Sequence, residues 1–170
     1  MQILRLKNYL LFGDYIQVEK IPATIQDYLF GLELSGKASW DRTKFINKFL
    51  GEDIKRLIDA RKEIFEKNAK RNKDGKILFL DGKTKKEITE PKQGTSYQFE
   101  DAKKLAKDLD ELLNDEVIID ITPANSGLIA NLSRAMEEDK TTYSNMDSVR
   151  LAQYFEAMEP VGAELKKEEK

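Results

Sequence analysis

The 170-residue chain contains no cysteine and no histidine. That removes thiol nucleophiles, disulfides, thiolate or imidazole zinc sites, and every relay that passes a proton through imidazole. Chemistry would have to come from carboxylates, lysines or tyrosines, with any metal a hard cation held by oxygen. One acidic set has a suitable pattern: Asp108, Glu111, Asp115, Glu116 and Asp120. Asp108, Glu111 and Asp115 recur at three- and four-residue steps and would share one helical face. A solvated face opposite a leucine stripe, with Lys103, Lys104 and Lys107 as neighbours, explains the pattern better. No calcium loop with its glycine and terminal glutamate is present. The expectation is a protein that is not an enzyme, with no catalytic residue, metal or cofactor; an enzyme using a carboxylate-bound metal is the remote alternative.

Basic residues offer a second possibility. Arg42, Lys44, Lys48, Lys55, Arg56, Arg61 and Lys62, then Lys67, Lys70 and Arg71, crowd one long segment. A nucleic-acid surface would need them on one face with aromatics to stack on. Glu52, Asp53, Asp59, Glu63 and Glu66 alternate with them and dilute the field, which favours a solvated helix laced with ion pairs. Nucleic acid is therefore not the expected partner, and any surviving basic patch belongs to Lys67–Lys76. Gly36-Lys37-Ala38-Ser39 looks like the end of a phosphate loop, but the earlier glycine and the preceding apolar strand are missing. Trp40 is the only tryptophan. It is expected to anchor its helix to the core; facing solvent, it would instead mark an interface.

The elements that must position these residues follow from periodicity. Ile3–Lys7 and Tyr15–Glu19 read as a short hairpin about Gly13-Asp14. Pro22 opens a helix carrying Ile25, Tyr28, Leu29 and Leu32, with Gly36 as its cap. Ser39 is the expected N-cap of the strongest element, with Asp41 in its first turn. Its apolar face is Ile46, Leu50, Ile54, Leu57, Ile58 and Phe65, widened by Phe45, Phe49 and Ile64, and it runs to about Asn72. Gly51 is a point where it could kink. Lys76–Leu80 and Glu87–Thr89 form a hairpin about Asp81-Gly82. A helix over about Phe99–Leu113 and an extended Val117–Ile121 come next. Another helix starts at Thr122-Pro123 and buries Leu128, Leu132, Ala135 and Met136. The last begins near Asp147, uses Val149, Ala152, Phe155 and Met158, and stops before Pro160.

The fold class is thus α+β, mainly helical: four to five helices, one of them long, and a small β-hairpin. A single domain is expected over residues 1–163, with a charged tail over 164–170. Apolar residues make up 40% and charged residues 35%, above the usual ~25%, and 29 basic against 31 acidic residues leave a net charge of -2. So balanced a chain has no global attraction for nucleic acid or an anionic membrane. No apolar run reaches the ~20 residues of a membrane span, and the N-terminal segment lacks a secretion cleavage site.

The order of features also resembles a known family. Leu34-Ser35-Gly36-Lys37-Ala38-Ser39 is followed by Asp41-Arg42-Thr43-Lys44-Phe45-Ile46 and a long charged helix. Asp74-Gly75-Lys76, Leu112-Leu113-Asn114-Asp115-Glu116-Val117-Ile118-Ile119-Asp120 and Leu151–Glu159 come later. Together they resemble an uncharacterised family of small proteins of tailed phages infecting low-GC Gram-positive bacteria, with genes near tail and lysis functions. Trp40 stands where that family usually has an arginine. The resemblance implies a phage accessory protein in the host cytoplasm, with association to the virion left open. Such a protein would act by binding another protein, a phage structural protein in tail or virion assembly, or a host or defence protein that it inhibits. The expected contact residues are Lys37, Trp40, Arg42, Lys44, Lys48 and Lys55. On that reading, reversing the charge of Arg42 or Lys48 would weaken binding and spare the fold. Antiparallel self-association of the long helix stays open.

Overall fold

The computed structural model describes residues 1–162, so the expected tail at 164–170 lies outside the described residues. In chain order they form β1 (Gln2–Lys7), α1 (Asn8–Phe12), α2 (Ile25–Gly31) and the long helix α3. Helix α3 comprises Gly36–Lys44, a wider π-helical stretch Phe45–Leu50, and Gly51–Asn68. Then come β2 (Phe79–Asp81), β3 (Glu87–Ile88), β4 (Thr95–Tyr97), α4 (Ala102–Asn114) and β5 (Glu116–Asp120). The last elements are α5 (Ser126–Glu137), α6 (Asn145–Met158) and β6 (Val161–Gly162). The class is α+β with one long helix, as expected. Two antiparallel three-stranded sheets, β5-β1-β6 and β3-β2-β4, are present among the described residues. The short α1, which has no periodic run long enough to announce it, takes the helix count above the expected four to five.

Two compact units emerge among the described residues, one of 1–55 with 113–162, the other of Arg56–Leu112. In the first, β1 is the middle strand. Leu4 and Leu6 are fully buried, and β1 pairs with β5 from Ile3↔Asp120 to Lys7↔Glu116. Ile25, Leu29, Phe45, Leu50, Leu132 and Tyr154 complete this core. The expected hairpin partner Tyr15–Glu19 is not a strand. Chain reversal is achieved instead by α1 and by Gly13, whose φ of 79° is left-handed and whose amide donates to the Tyr9 carbonyl. A Cβ there would stand 2.9 Å from that of Ala23, so glycine is required twice over. Strand β1 takes distant partners because the segment at 116–120 alternates buried Val117 and Ile119 with outward residues, as a half-covered strand does.

Helix α6 explains how the Gly13–Thr24 segment stays in place without secondary structure. The expected buried face of Val149, Ala152 and Phe155 is the outward one; Met158 alone of that set is buried. The inward face is Asp147, Arg150, Tyr154 and Ala157. Asp147 accepts the amides of Glu19 at 2.8 Å and Lys20 at 2.9 Å. Arg150, with no exposed surface, donates through Nη2 to the Asp14 carbonyl at 2.7 Å and lies over the Tyr9 ring. The Tyr154 hydroxyl donates to the Pro22 carbonyl at 2.7 Å. Backbone groups lacking secondary structure need such partners when buried. Apolar periodicity misassigns the face because its buried side is polar.

The second unit contains the hairpin expected about Asp81-Gly82, with Phe79↔Ile88 and Leu80↔Glu87 in register. Strand β4 adds on the other side of β2 through Phe79↔Tyr97. Phe65, Phe79, Tyr97 and Phe99 stack with ring centroids 5.1 to 6.2 Å apart and form its apolar centre. Gly82 lets the Gly94 carbonyl approach, since a Cβ there would meet that oxygen at 2.8 Å. Buried Asp81 closes the turn, accepting from Lys92 and from the amides of Lys83 and Thr84. Of the acidic set considered for a metal, Asp108 is taken by Asn68 and Lys67 in this unit, and Glu116 by Arg5 and Lys7 in the first. Among the described residues no group of three or more acidic side chains forms a metal site.

Two outcomes check this account. Asp147→Ala removes the acceptor of the part-buried Glu19 and Lys20 amides and should lower stability and loosen the Gly13–Thr24 segment, read by chemical denaturation and by faster amide exchange at Glu19 and Lys20. The Lys92 ammonium and then the Lys83 and Thr84 amides hold the Asp81 carboxyl at about 2. The unfolded value is ~4, so this support is complete above pH ~4 and is lost as pH falls towards ~2. The Lys83 and Thr84 amide resonances should report the loss, and Asp81→Asn should abolish that transition while weakening the hairpin throughout.

Candidate functional site

The residues expected to contact a partner lie on the first part of α3, within the first unit. The helix begins earlier than expected. Ser35 is the N-cap and Gly36 the first residue, while Ser39 lies within the helix with its amide on the Ser35 carbonyl. Gly36 does not cap α2, which ends at an extended Leu32. This places Asp41 beyond the first turn. It is buried, and its carboxylate accepts from Asn131 of α5 at 2.8 Å. Asp41, Phe45, Ile46 and Leu50 form the inward face.

Trp40 is on the opposite side. It is 67% exposed, which corrects the expectation of a core anchor. The earlier start of the helix turns Asp41 inward, and the neighbouring position is carried out to solvent. Lys44 and Lys48 follow Trp40 at four-residue steps and are exposed, and Lys37 precedes it by three. The π-helical stretch does not break this alignment. Its wider turn inserts an extra residue between Phe45 and Leu50, just before Gly51, where a kink was expected. Beyond Lys48 the stripe is interrupted by exposed Glu52, and Lys55 lies past it. The surface set is thus Lys37, Trp40, Lys44 and Lys48, with Lys55 separated from them by a negative charge.

Arg42 does something else. Its Nη1 donates to the carbonyls of Leu29, Phe30 and Leu32 at 3.1, 3.0 and 2.9 Å, and Nη2 donates to the Ser39 hydroxyl at 3.2 Å. The guanidinium also covers the Phe30 ring at 5.5 Å. These are carbonyls of the last turn of α2, where a cation is favoured by orphan acceptors and the helix dipole together. Arg42 therefore ties α2 to α3.

An open cleft of about 1090 Å³ adjoins the start of α3. Lys37 and Ala38 of α3, Tyr28 of α2, Arg134 and Ala135 of α5, and Asp139, Lys140 and Tyr143 beyond α5 all line it. Within it the Tyr28 hydroxyl donates to Asp139 Oδ2 at 3.2 Å, and the Thr141 amide donates to Oδ1 at 3.0 Å. Burial opposes the charge of Asp139, but the hydrogen bonds from Thr141, Tyr28 and Tyr143 outweigh it and hold the carboxyl below its usual range. Burial, then the adjacent Asp139 charge, push the Tyr28 phenol well above its ordinary value. Tyr143 moves the same way for the same two reasons. Sequence reading found Tyr28 only as an apolar-face residue and missed Arg134, Asp139, Lys140 and Tyr143. These four lie within ten residues of one another but more than 100 residues from Tyr28, and no local spacing announces that they meet it.

No described helix is long and apolar enough to cross a membrane. Arg42→Glu should cost about 2 to 3 kcal/mol, since three carbonyls lose their donor and a carboxylate faces them, whereas Lys48→Glu should leave the melting temperature nearly unchanged. Thermal denaturation of the two variants side by side checks this. Comparison of the chain with family models, curated proteins and solved structures returns no match.

Proposed function

We propose that this protein is a non-enzymatic accessory protein of a tailed phage, binding an acidic surface on a tail or virion protein through Trp40, Lys44 and Lys48. The observation that carries this reading is Trp40. Its indole is 67% exposed and held on a helix whose other side is locked by Asp41, Phe45 and Leu50. A large aromatic kept in water on a rigid element is the kind of side chain that anchors protein interfaces. The lysines on either side steer an acidic partner and fix its register, contributing more to association rate and specificity than to raw affinity. The stripe from Lys37 to Lys48 covers about 16 Å of helix, and with its flanks it can provide the ~800 Å² a standard interface takes from each partner. Support for the phage setting comes from the resemblance carried by Leu34–Ile46 and Leu112–Asp120. The other reading, inhibition of a host or defence protein by occlusion, uses the same surface and differs only in what is captured.

Affinity capture from infected cells, read by mass spectrometry, tests both. Tail or virion proteins should be recovered with the wild-type chain. Trp40→Ala should weaken that association by ~30-fold, the ~2 kcal/mol of an anchoring tryptophan, while the variant melts like the wild type. A host protein captured stoichiometrically would transfer the account to inhibition. Capture untouched by Trp40→Ala and by Lys44→Glu with Lys48→Glu would sink the stripe as the binding surface.

A further inference from the structure

Strand β5 forms one edge of its sheet, since the order β5-β1-β6 leaves it a single neighbour. The phase of the β1–β5 ladder fixes which of its backbone groups that neighbour uses. The Asn8 amide donates to the Asp115 carbonyl and the Ile121 amide to the Gln2 carbonyl, both at 2.9 Å. Hydrogen-bonded positions alternate in an antiparallel pair, so Val117 and Ile119 are the bonded partners of Leu6 and Leu4. The amides and carbonyls of Glu116, Ile118 and Asp120 therefore point away from β1, along the outer edge. Side chains already hold two of these groups. The Glu116 amide donates to Asp115 Oδ1 at 2.9 Å, and the Asp120 carbonyl accepts from Asn125 Nδ2 at 2.9 Å. The Glu116 and Ile118 carbonyls and the Ile118 and Asp120 amides are left without a partner among the described residues.

Free strand edges recruit other strands, and they are commonly blunted by lysine, proline or a bulge. Strand β5 has no lysine, no proline and no break in its register. At its centre Ile118 is 53% exposed. What flanks Ile118 is acidic. Asp115 and Asp120 are exposed at opposite ends of the strand, and neither makes an ion pair among the described residues. Glu116 is held by Arg5 and Lys7. A second copy of this chain fits such an edge poorly. Pairing β5 with itself about Ile118 sets Glu116 opposite Asp120 twice, and like charges facing across a ladder destabilise it.

We propose that the free edge of β5 receives an extended segment of another protein, an apolar residue flanked two positions away on each side by lysine or arginine. Added antiparallel, the central residue exchanges both hydrogen bonds with Ile118, and the Glu116 carbonyl and Asp120 amide complete the ladder at its ends. The apolar side chain packs beside Ile118, and the basic ones meet the carboxylates at the two ends of β5. Main-chain bonds supply affinity, and the alternate side chains select the partner. This edge is separate from the Trp40 stripe, whose lysines favour a partner of the opposite sign.

Amide NMR titration of the full chain with the peptide acetyl-Thr-Lys-Thr-Val-Thr-Lys-Thr-amide provides the test. The peptide should shift the Ile118 and Asp120 amides and slow their exchange with solvent. The Val117 and Ile119 amides, already paired with β1, should change little. Replacing both peptide lysines by glutamate, or N-methylating the valine so that it cannot donate to the Ile118 carbonyl, should each weaken binding about tenfold. Asp120→Lys should weaken the lysine peptide about tenfold and strengthen the glutamate one, because an attraction becomes a repulsion. Trp40→Ala should leave binding unchanged. No binding of the lysine peptide would overturn the proposal, as would binding that both the N-methyl group and Asp120→Lys leave intact. Protection of the Ile118 amide that grows with protein concentration in the absence of peptide would also overturn it, since the edge would then belong to a second copy.

Discussion

Much of the first unit hangs on the polar inward face of one helix. Asp147, Arg150 and Tyr154 stand one turn apart on α6 and together hold Asp14, Glu19, Lys20 and Pro22 by their backbone groups. A charged face turned into a core is costly to desolvate, and it is tolerated where each charge meets a defined partner. Asp147 satisfies this with backbone amides that would otherwise be orphans. The first of these amides, Glu19, then burial acting against it, and then Lys20 and Ile21, together leave its carboxyl below the usual range. Arg150 meets the Asp14 carbonyl and lies over the Tyr9 ring.

The consequences run along the chain. Once Pro22 is fixed, Thr24 caps α2 by accepting from the Asp27 amide, and Tyr28 packs on Tyr154 with centroids 5.2 Å apart. The end of α2 is then seized by Arg42, and that grip together with Asp41–Asn131 sets the rotation of α3 about its own axis. This rotation decides what the solvent meets. With Asp41 and Phe45 inward, Trp40, Lys44 and Lys48 can only be outward. The exposed tryptophan is thus a result of polar anchoring elsewhere, and it sits on a helix that has little freedom to turn it back.

The exposed stripe and the cleft differ in kind. Trp40 and its lysines form a convex stripe, suited to a large partner that covers it and excludes water around the indole. The cleft is concave, joins separate stretches of chain, and mixes Lys37, Arg134 and Lys140 with Glu33, Glu138 and Asp139 in its lining. Lys37 stands at the boundary, next to Trp40 on the stripe and within the lining of the cleft. In the second unit the aromatic rings stack on one another, and Asp81 and Asp108 are held by neighbouring donors.

The α+β class, the long helix, the Asp81-Gly82 hairpin and the stop before Pro160 were legible in the sequence because each rests on local rules: apolar repeats, turn residues and proline. The absence of histidine and cysteine likewise set the range of open chemistry before any fold was known. Tertiary structure alone decided the partner of β1, since strand pairing across more than 100 residues leaves no local trace. It also decided which way α6 faces, because its core side is polar and its apolar residues Val149 and Phe155 point to water. Helix periodicity names two faces without saying which is buried, and the choice for Trp40 was made by Arg42 and Asp41 finding partners on other helices. The cleft was beyond reach for the same reason: Lys37 and Arg134 line it together only because α3 and α5 pack.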